Sequence, residues 1–317
     1  MLPSTQYWRL SERQVLNPNC DDEALLLLTL HSIGPRPIWR AGDVIEIQPH
    51  HPENVIDNWL DENELNGETL LTYQGHQQSL KAWLADRELS KINVGTKLSV
   101  VSPEDLLDKL PYLHKRSYSV ASVSENGQLQ LVVRLFKKDD QSLGLASGFL
   151  GQYCKIGQLV QGQIKSINHH HHIQQTQPII LIGAGSGLAG LKAQIAARNW
   201  AKQHGQQNIG DTWLIFGERH SAAELPINRL LQDLKEQGIT KLSHAFSRDE
   251  QYPKYVQHIL ISEQATLQQW LENGAAIYVC GCLSGMGQSV HQTLIDMLGE
   301  ATVESLQQQQ RYIRDVY

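Results

Sequence analysis

Cysteine is scarce in this sequence, and no two cysteines form a C-x-x-C pair. Only four occur in 317 residues, at 20, 154, 280 and 282. That spacing carries neither a metal framework nor a disulfide framework, and Cys280 and Cys282 are too close to bridge comfortably; reduced thiols are expected. Long apolar runs are also missing. The longest, "ALLLLTL" and "PIILIGAGSGLAGL", fall short of the ~20 residues that a membrane span needs. The opening "MLPSTQYWRLSERQ" has no basic stretch leading into an apolar core, so no signal peptide is read and a cytoplasmic location is expected. An excess of positive charge is lacking too, and a net charge of −6 argues against a general nucleic-acid binder. His169 to His172 stand in a row, but adjacent residues on a strand cannot all face one ion. The tract reads as a solvated linker, and no metal site is expected.

What is present is an ordinary globular composition, 41% apolar and 19% charged, in a chain long enough for two domains. The first half reads mainly as strands. "EALLLLTLHS", "GDVIEIQP", "GTKLSVVS", "GQLQLVVRLF" and "QLVQGQIKS" are short, rich in Val, Ile and Leu, and bounded by turn residues, as in an antiparallel barrel or sandwich. Between about 52 and 115, "NVIDNWLDENEL", "QQSLKAWLADREL" and "PEDLLDKL" have helical periodicity and predict a helical insertion. From Pro178 strands and helices alternate, which predicts a parallel sheet with helices on both faces. A boundary is expected in "NHHHHIQQTQP", dividing a barrel domain, 1–172, from an α/β domain, 173–317.

"LIGAGSGLAG" follows a buried strand and opens a helix. Its amide N–H groups can therefore converge on a phosphate at the positive helix end. Gly185, Gly187 and Gly190 satisfy G-x-G-x-x-G, though the same glycines also suit tight strand–helix packing. The acidic residue of an NAD-type ribose clamp is expected about 20 positions on. Here the second strand ends nearer 30 on, in "IFGERH", with Arg219 beside Glu218. A further anionic site is suggested by "AFSRDEQYPKYVQ", just after the third strand of the parallel sheet. Ser247, Arg248, Lys254 and Tyr255 can hold a ribose 2′-phosphate there by charge-assisted hydrogen bonds, although a solvated polar loop would show the same residues.

"RSYSVAS", "GLASGFL", "GAGSGLA", "YVCG" and "RYIRDVY" occur in one order. Together with "WRAGDVIEIQP" they resemble the ferredoxin-NADP reductase superfamily over nearly the whole chain. The likeness is greatest to the FAD/NADPH module of diflavin reductases such as the sulfite reductase flavoprotein, here expected without the flavodoxin domain. The resemblance implies an FAD-binding β-barrel followed by a doubly wound NADP-binding domain. It assigns Arg116 to the FAD pyrophosphate, Tyr118 to stacking on the flavin ring and Ser119 to a hydrogen bond near flavin N5. A second pyrophosphate contact falls to Gly144, Ala146 and Ser147. NADP falls to Gly185, Ser186, Gly187, Arg219, Ser247, Arg248, Lys254, Tyr255, Gln257 and Cys280. Ser119, Cys280, Asp315 and Tyr317 become the catalytic set, with Tyr317 covering the flavin face where nicotinamide must bind.

Departures from the family pattern are visible. "GAGSGLAGLK" lacks the two prolines and the final arginine usual in that loop, Pro253 stands where a lysine is usual with Lys254 displaced by one, and Cys282 replaces an acidic residue. The resemblance implies an NADPH-dependent flavoprotein reductase delivering electrons to a separate acceptor, an FMN-flavodoxin protein or a haem protein such as a membrane haem domain. A free-flavin or ferric-chelate reductase, and a non-enzymatic FAD/NADP redox sensor, are the alternative readings.

Overall fold

The computed structural model describes residues 6–18, 23–91, 102–166, 173–222 and 225–317. The histidine tract, Cys20, nearly all of the expected strand 95–102 and the last residues before the 172/173 division lie outside them.

Six strands form the first sheet: β1 (Tyr7–Val15), β2 (Leu25–Ile33), β3 (Val44–Ile47), β6 (Arg116–Ser119), β7 (Leu129–Arg134) and β8 (Leu159–Lys165). Their order is β6-β3-β8-β1-β2-β7 and their pairing antiparallel. The ends of this row meet: Val120 bridges Leu131, and the Ala121 N–H donates to the Gln130 carbonyl at 2.7 Å. The sheet therefore closes into the expected barrel, which removes its open edges. Trp8, Leu28, Ile45, Leu131, Phe149 and Val160 fill the interior. Strand β1 adds to the sequence reading. Its alternation of Trp8 and Leu10 inside with Arg9 outside is diluted by a bulge after Leu10 and by a polar second half.

The insertion holds α1 (Glu53–Glu62), α2 (Leu80–Leu84) and α3 (Pro103–Lys109) around their own core of Ile56, Trp59, Leu84 and Leu107. The helix expected across 77–89 is corrected. Its first part is strand β5 (His76–Ser79), paired with β4 (Leu70–Tyr73). Gln74 and Gly75 both have positive φ, 52° and 81°, the geometry of a two-residue hairpin turn that helical periodicity cannot reveal. After β7, α4 (Leu145–Gly148) leads through a wide turn to β8.

The second sheet is wholly parallel, in the order β11-β10-β9-β12-β13. It consists of β9 (Ile179–Ala184), β10 (Thr212–Glu218), β11 (Lys241–Phe246), β12 (Ala276–Gly281) and β13 (Tyr312–Val316). Helices α5 (Leu188–Gln203) and α6 (Pro226–Glu236) cover one face, and α7 (Val256–Ser262), α8 (Gln264–Glu272), α9 (Gln288–Leu298) and α10 (Glu300–Gln308) the other. Both faces of β9 are buried, with Leu181 in one layer and Ile182 in the other, hence its unbroken apolar run. The stretch "YVQHILISEQATLQQWLENG" reads from its apolar spacing as one helix over 255–274, but the structure forms two, broken at Glu263. The core on the α5 face also takes in Leu16, Leu25, Ala121 and Val132, so barrel and parallel sheet share buried apolar contacts.

Candidate active site

Strand parity builds the centre. Tyr278 and Cys280 of β12 face the core shared with α5, while Ile277 and Val279 face the opposite layer. In β13, Ile313 lies opposite Tyr278 and Asp315 opposite Cys280, so alternation brings Asp315 to the same side. Ser119 arrives from β6 of the barrel. Its hydroxyl donates to Asp315 Oδ2 at 3.2 Å, the Tyr278 hydroxyl donates to the same oxygen at 2.7 Å, and the Cys280 thiol at 3.6 Å. Burial pushes the Asp315 carboxyl above its ordinary range, while donation from Tyr278, Ser119 and Cys280 opposes that rise. Burial, and then the carboxylate, pushes the Cys280 thiol well up. At neutral pH Cys280 is accordingly an S–H donor and not a thiolate nucleophile.

Beside this centre, at the carboxyl ends of the parallel strands, lies a cavity of about 490 Å³. Gly185, Ser186, Arg219, Ser247, Lys254, Tyr255 and Gln257 all line it, so most of the residues expected at NADP converge on one space. Arg248 is not among the lining residues; its backbone N–H donates to the Arg219 carbonyl at 2.9 Å. Gly187 lies underneath. A Cβ there would come within 2.0 Å of the Cys280 carbonyl oxygen, and one at Gly190 within 2.8 Å of the Cys280 sulfur. Two of the three motif glycines thus serve close helix–strand packing, while Gly185, at φ 55°, makes the turn.

One charged residue in this cavity escaped sequence reasoning. Arg134, at the end of β7, crosses from the barrel to form an ion pair with Glu218 of β10 at 2.9 Å, and its guanidinium lies against Gly185. Glu218, whose side chain is only 3% exposed, also accepts the Arg219 N–H at 2.9 Å. Its carboxylate is committed to these partners. "LVVRLF" reads as a strand, and nothing in that run signals an arginine aimed at another sheet.

The remaining expected residues sit on the barrel. Arg116 is exposed and donates to the carbonyls of His114 and Lys115 at 3.3 and 3.2 Å. Tyr118 is half-buried against the barrel core, and its burial pushes the phenol pKa up. Gly144, Ala146 and Ser147 form a turn in which the Ser147 hydroxyl accepts the Phe136 N–H at 3.3 Å, with the Phe136 ring packed against Gly144 and 56% exposed. Tyr317 is 54% exposed. Its backbone N–H donates to the Gly281 carbonyl at 3.1 Å and its hydroxyl to Ser186 Oγ at 2.8 Å, tying the end of β13 to the glycine loop.

A family model described as the oxidoreductase NAD-binding domain matches residues 181–292. Over 268 residues the chain is 30% identical to the sulfite reductase [NADPH] flavoprotein alpha-component of Shewanella sp. strain MR-7, covering 78% of this chain and 43% of that protein. The corresponding protein of Aliivibrio fischeri is 33% identical over 238 residues, covering 70% and 39%, and that of Bacillus subtilis 28% identical over 263 residues, covering 77% and 42%. The chain belongs to the ferredoxin-NADP reductase superfamily. The architecture agrees, a closed antiparallel barrel followed by a five-stranded parallel sheet. The chain spans about two fifths of the length of the superfamily relatives it matches.

Proposed function

We propose that this chain is an FAD- and NADPH-binding reductase module that passes electrons from NADPH to a separate one-electron acceptor. The observation that carries the reading is the Ser119–Asp315 hydrogen bond. It joins barrel and parallel sheet at one point, beside the cavity of about 490 Å³ at the glycine loop.

The residues present suit both groups. Lys254 brings positive charge to a cavity walled by the glycine loop that leads into a 16-residue helix, and Arg134 and Arg219, paired with Glu218 and Glu23, add guanidinium donors, which favours a phosphorylated dinucleotide. On the barrel, Arg116 suits a pyrophosphate and Tyr118 a flat ring, while the exposed Phe136 beside the 144–147 turn suits an adenine. When bound, NADPH supplies a hydride that FAD accepts and passes on as single electrons. Ser119 and Cys280 place a neutral hydroxyl and thiol where the two rings would meet, and Asp315 holds both by their protons and adds negative charge beside a ring that becomes cationic. Tyr317 covers this place and must yield before a nicotinamide stacks.

By likeness to the sulfite reductase flavoproteins, the acceptor is a flavodoxin-like FMN domain or a haem protein. The free thiols of Cys154, Cys280 and Cys282 suit a reducing compartment such as the cytoplasm. The test is the absorbance of the FAD-loaded protein mixed anaerobically with NADPH. Bleaching of the flavin bands is expected, followed by re-oxidation on adding a flavodoxin or a haem protein but not on adding free FMN or ferric citrate. FAD binding without bleaching removes the reductase reading, and faster re-oxidation by the small molecules moves the acceptor to that class.

A further inference from the structure

Tyr278 is buried to 2% exposure, and the chemistry described so far gives it no role of its own. Its hydroxyl nevertheless makes the shortest contact to Asp315, 2.7 Å against 3.2 Å from Ser119 and 3.6 Å from Cys280. It is also braced from behind by α5. A Cβ at Gly190 would lie 2.7 Å from the Tyr278 hydroxyl, so only glycine leaves room for the phenol there. One turn on, at the i+4 position that shares the same helix face, the buried side chain of Gln194 stands beside the phenol. The last glycine of the loop motif and this glutamine thus form a seat that aims the phenol at the carboxylate.

The geometry points to Tyr278 as a positioning residue for the proposed hydride transfer: seated by Gly190 and Gln194, it orients Asp315 and holds it ionised, so that Ser119 and Cys280 keep their protons directed at the carboxylate. The inference rests on the reductase reading for its purpose but not for its test. A carboxylate that accepts three hydrogen bonds favours its charged form, and removing one donor favours the neutral acid. Once neutral, Asp315 would itself be a donor and would no longer fix the hydroxyl and thiol. The groups facing Asp315 are Tyr278 and Cys280 from β12, Ser119 from β6 and Tyr317 just past the end of its own strand, with Gln194 from α5 behind Tyr278. Lys192, on the same helix, is turned instead to the Ala121 carbonyl and Gln130.

The experiment compares wild type with Tyr278→Phe, in protein labelled with ¹³C at the aspartate carboxyls and free of cofactor. Asp315→Asn assigns the resonance. The Asp315 titration midpoint is expected to move up by about one pH unit. In FAD-loaded protein the acid limb of the flavin reduction rate should move up with it, while FAD content and NADP affinity stay as in wild type. An unmoved midpoint in a folded Tyr278→Phe protein overturns the inference and leaves Tyr278 a packing residue. If that variant does not fold, Gln194→Leu replaces it, with a smaller shift in the same direction expected and no shift overturning the idea. A carboxyl shift in a protein whose flavin never responds to NADPH counts against the reductase reading and not against Tyr278.

Discussion

Lys254 stands over the ring of Tyr255, 5.6 Å from its centroid, on the wall of the cavity where a ribose 2′-phosphate is expected. Because the ammonium is exposed, its worth is discounted to the low end of charge-assisted bonds. Lys254→Ala should raise the KM for NADPH about 10-fold and leave that for NADH unchanged, since only NADPH carries the extra phosphate. Equal losses with both cofactors in steady-state assays would show that Lys254 does not read the 2′-phosphate. At this scale legibility followed residue type. Ser119, Cys280 and Asp315 were expected together from motif order, and the structure brings the three to one point, Cys280 and Asp315 by strand parity and Ser119 from the barrel. Tyr278 and Arg134 were missed for a physical reason. A tyrosine in "AIYVCG" and an arginine closing "LQLVVR" read as ordinary strand residues until the partner sheet is in place.

Among the elements, "LAGLKAQIAARNWAKQ" reads as a helix, and α5 covers those same residues, 188 to 203, because a glycine loop starts it and apolar periodicity runs its full length. The α7–α8 break and the β4–β5 hairpin were hidden, since each depends on one or two backbone angles that apolar spacing does not encode. Helix α5 also carries a buried cation into the junction. Lys192 Nζ donates to Gln130 Oε1 at 2.6 Å and to the Ala121 carbonyl at 3.2 Å, both on the barrel, and burial pulls its pKa from 10.5 down to about 8. With the folded value below the unfolded one, the unfolded chain binds more protons between those two pH values, and stability rises with pH across that window. The size is about 3 kcal/mol. Urea midpoints of the wild type measured from pH 8 to 10 should carry this rise, and Lys192→Met should lack it. An identical slope in both proteins would place the ammonium in contact with water.

For the molecule as a whole, the junction between barrel and parallel sheet combines shared apolar packing with polar ties, among them Lys192, Ser119–Asp315 and the Arg134–Glu218 pair. Arg134→Ala should cost about 3–5 kcal/mol, because Glu218 stays buried with its charge uncompensated. The double variant Arg134→Met with Glu218→Met should recover most of that loss. Calorimetry tests both, and a double variant no better than the single one would mean that Arg134 acts by packing alone. The tie between Tyr317 and Ser186 has a consequence at this scale as well. The phenol donates to Ser186 Oγ and so stands on one side of the hydroxyl that an arriving pyrophosphate would approach; where the two compete for that side, each weakens the other by the same factor. The penalty then falls even on a ligand that never touches the flavin. 2′-Phospho-ADP-ribose, which lacks the nicotinamide, should bind about 2- to 10-fold more tightly to Tyr317→Phe than to wild type. Equal affinities in titration calorimetry would confine the antagonism to the ring face, whereas a gain would make the glycine loop the place where an arriving nucleotide first loosens its own obstruction.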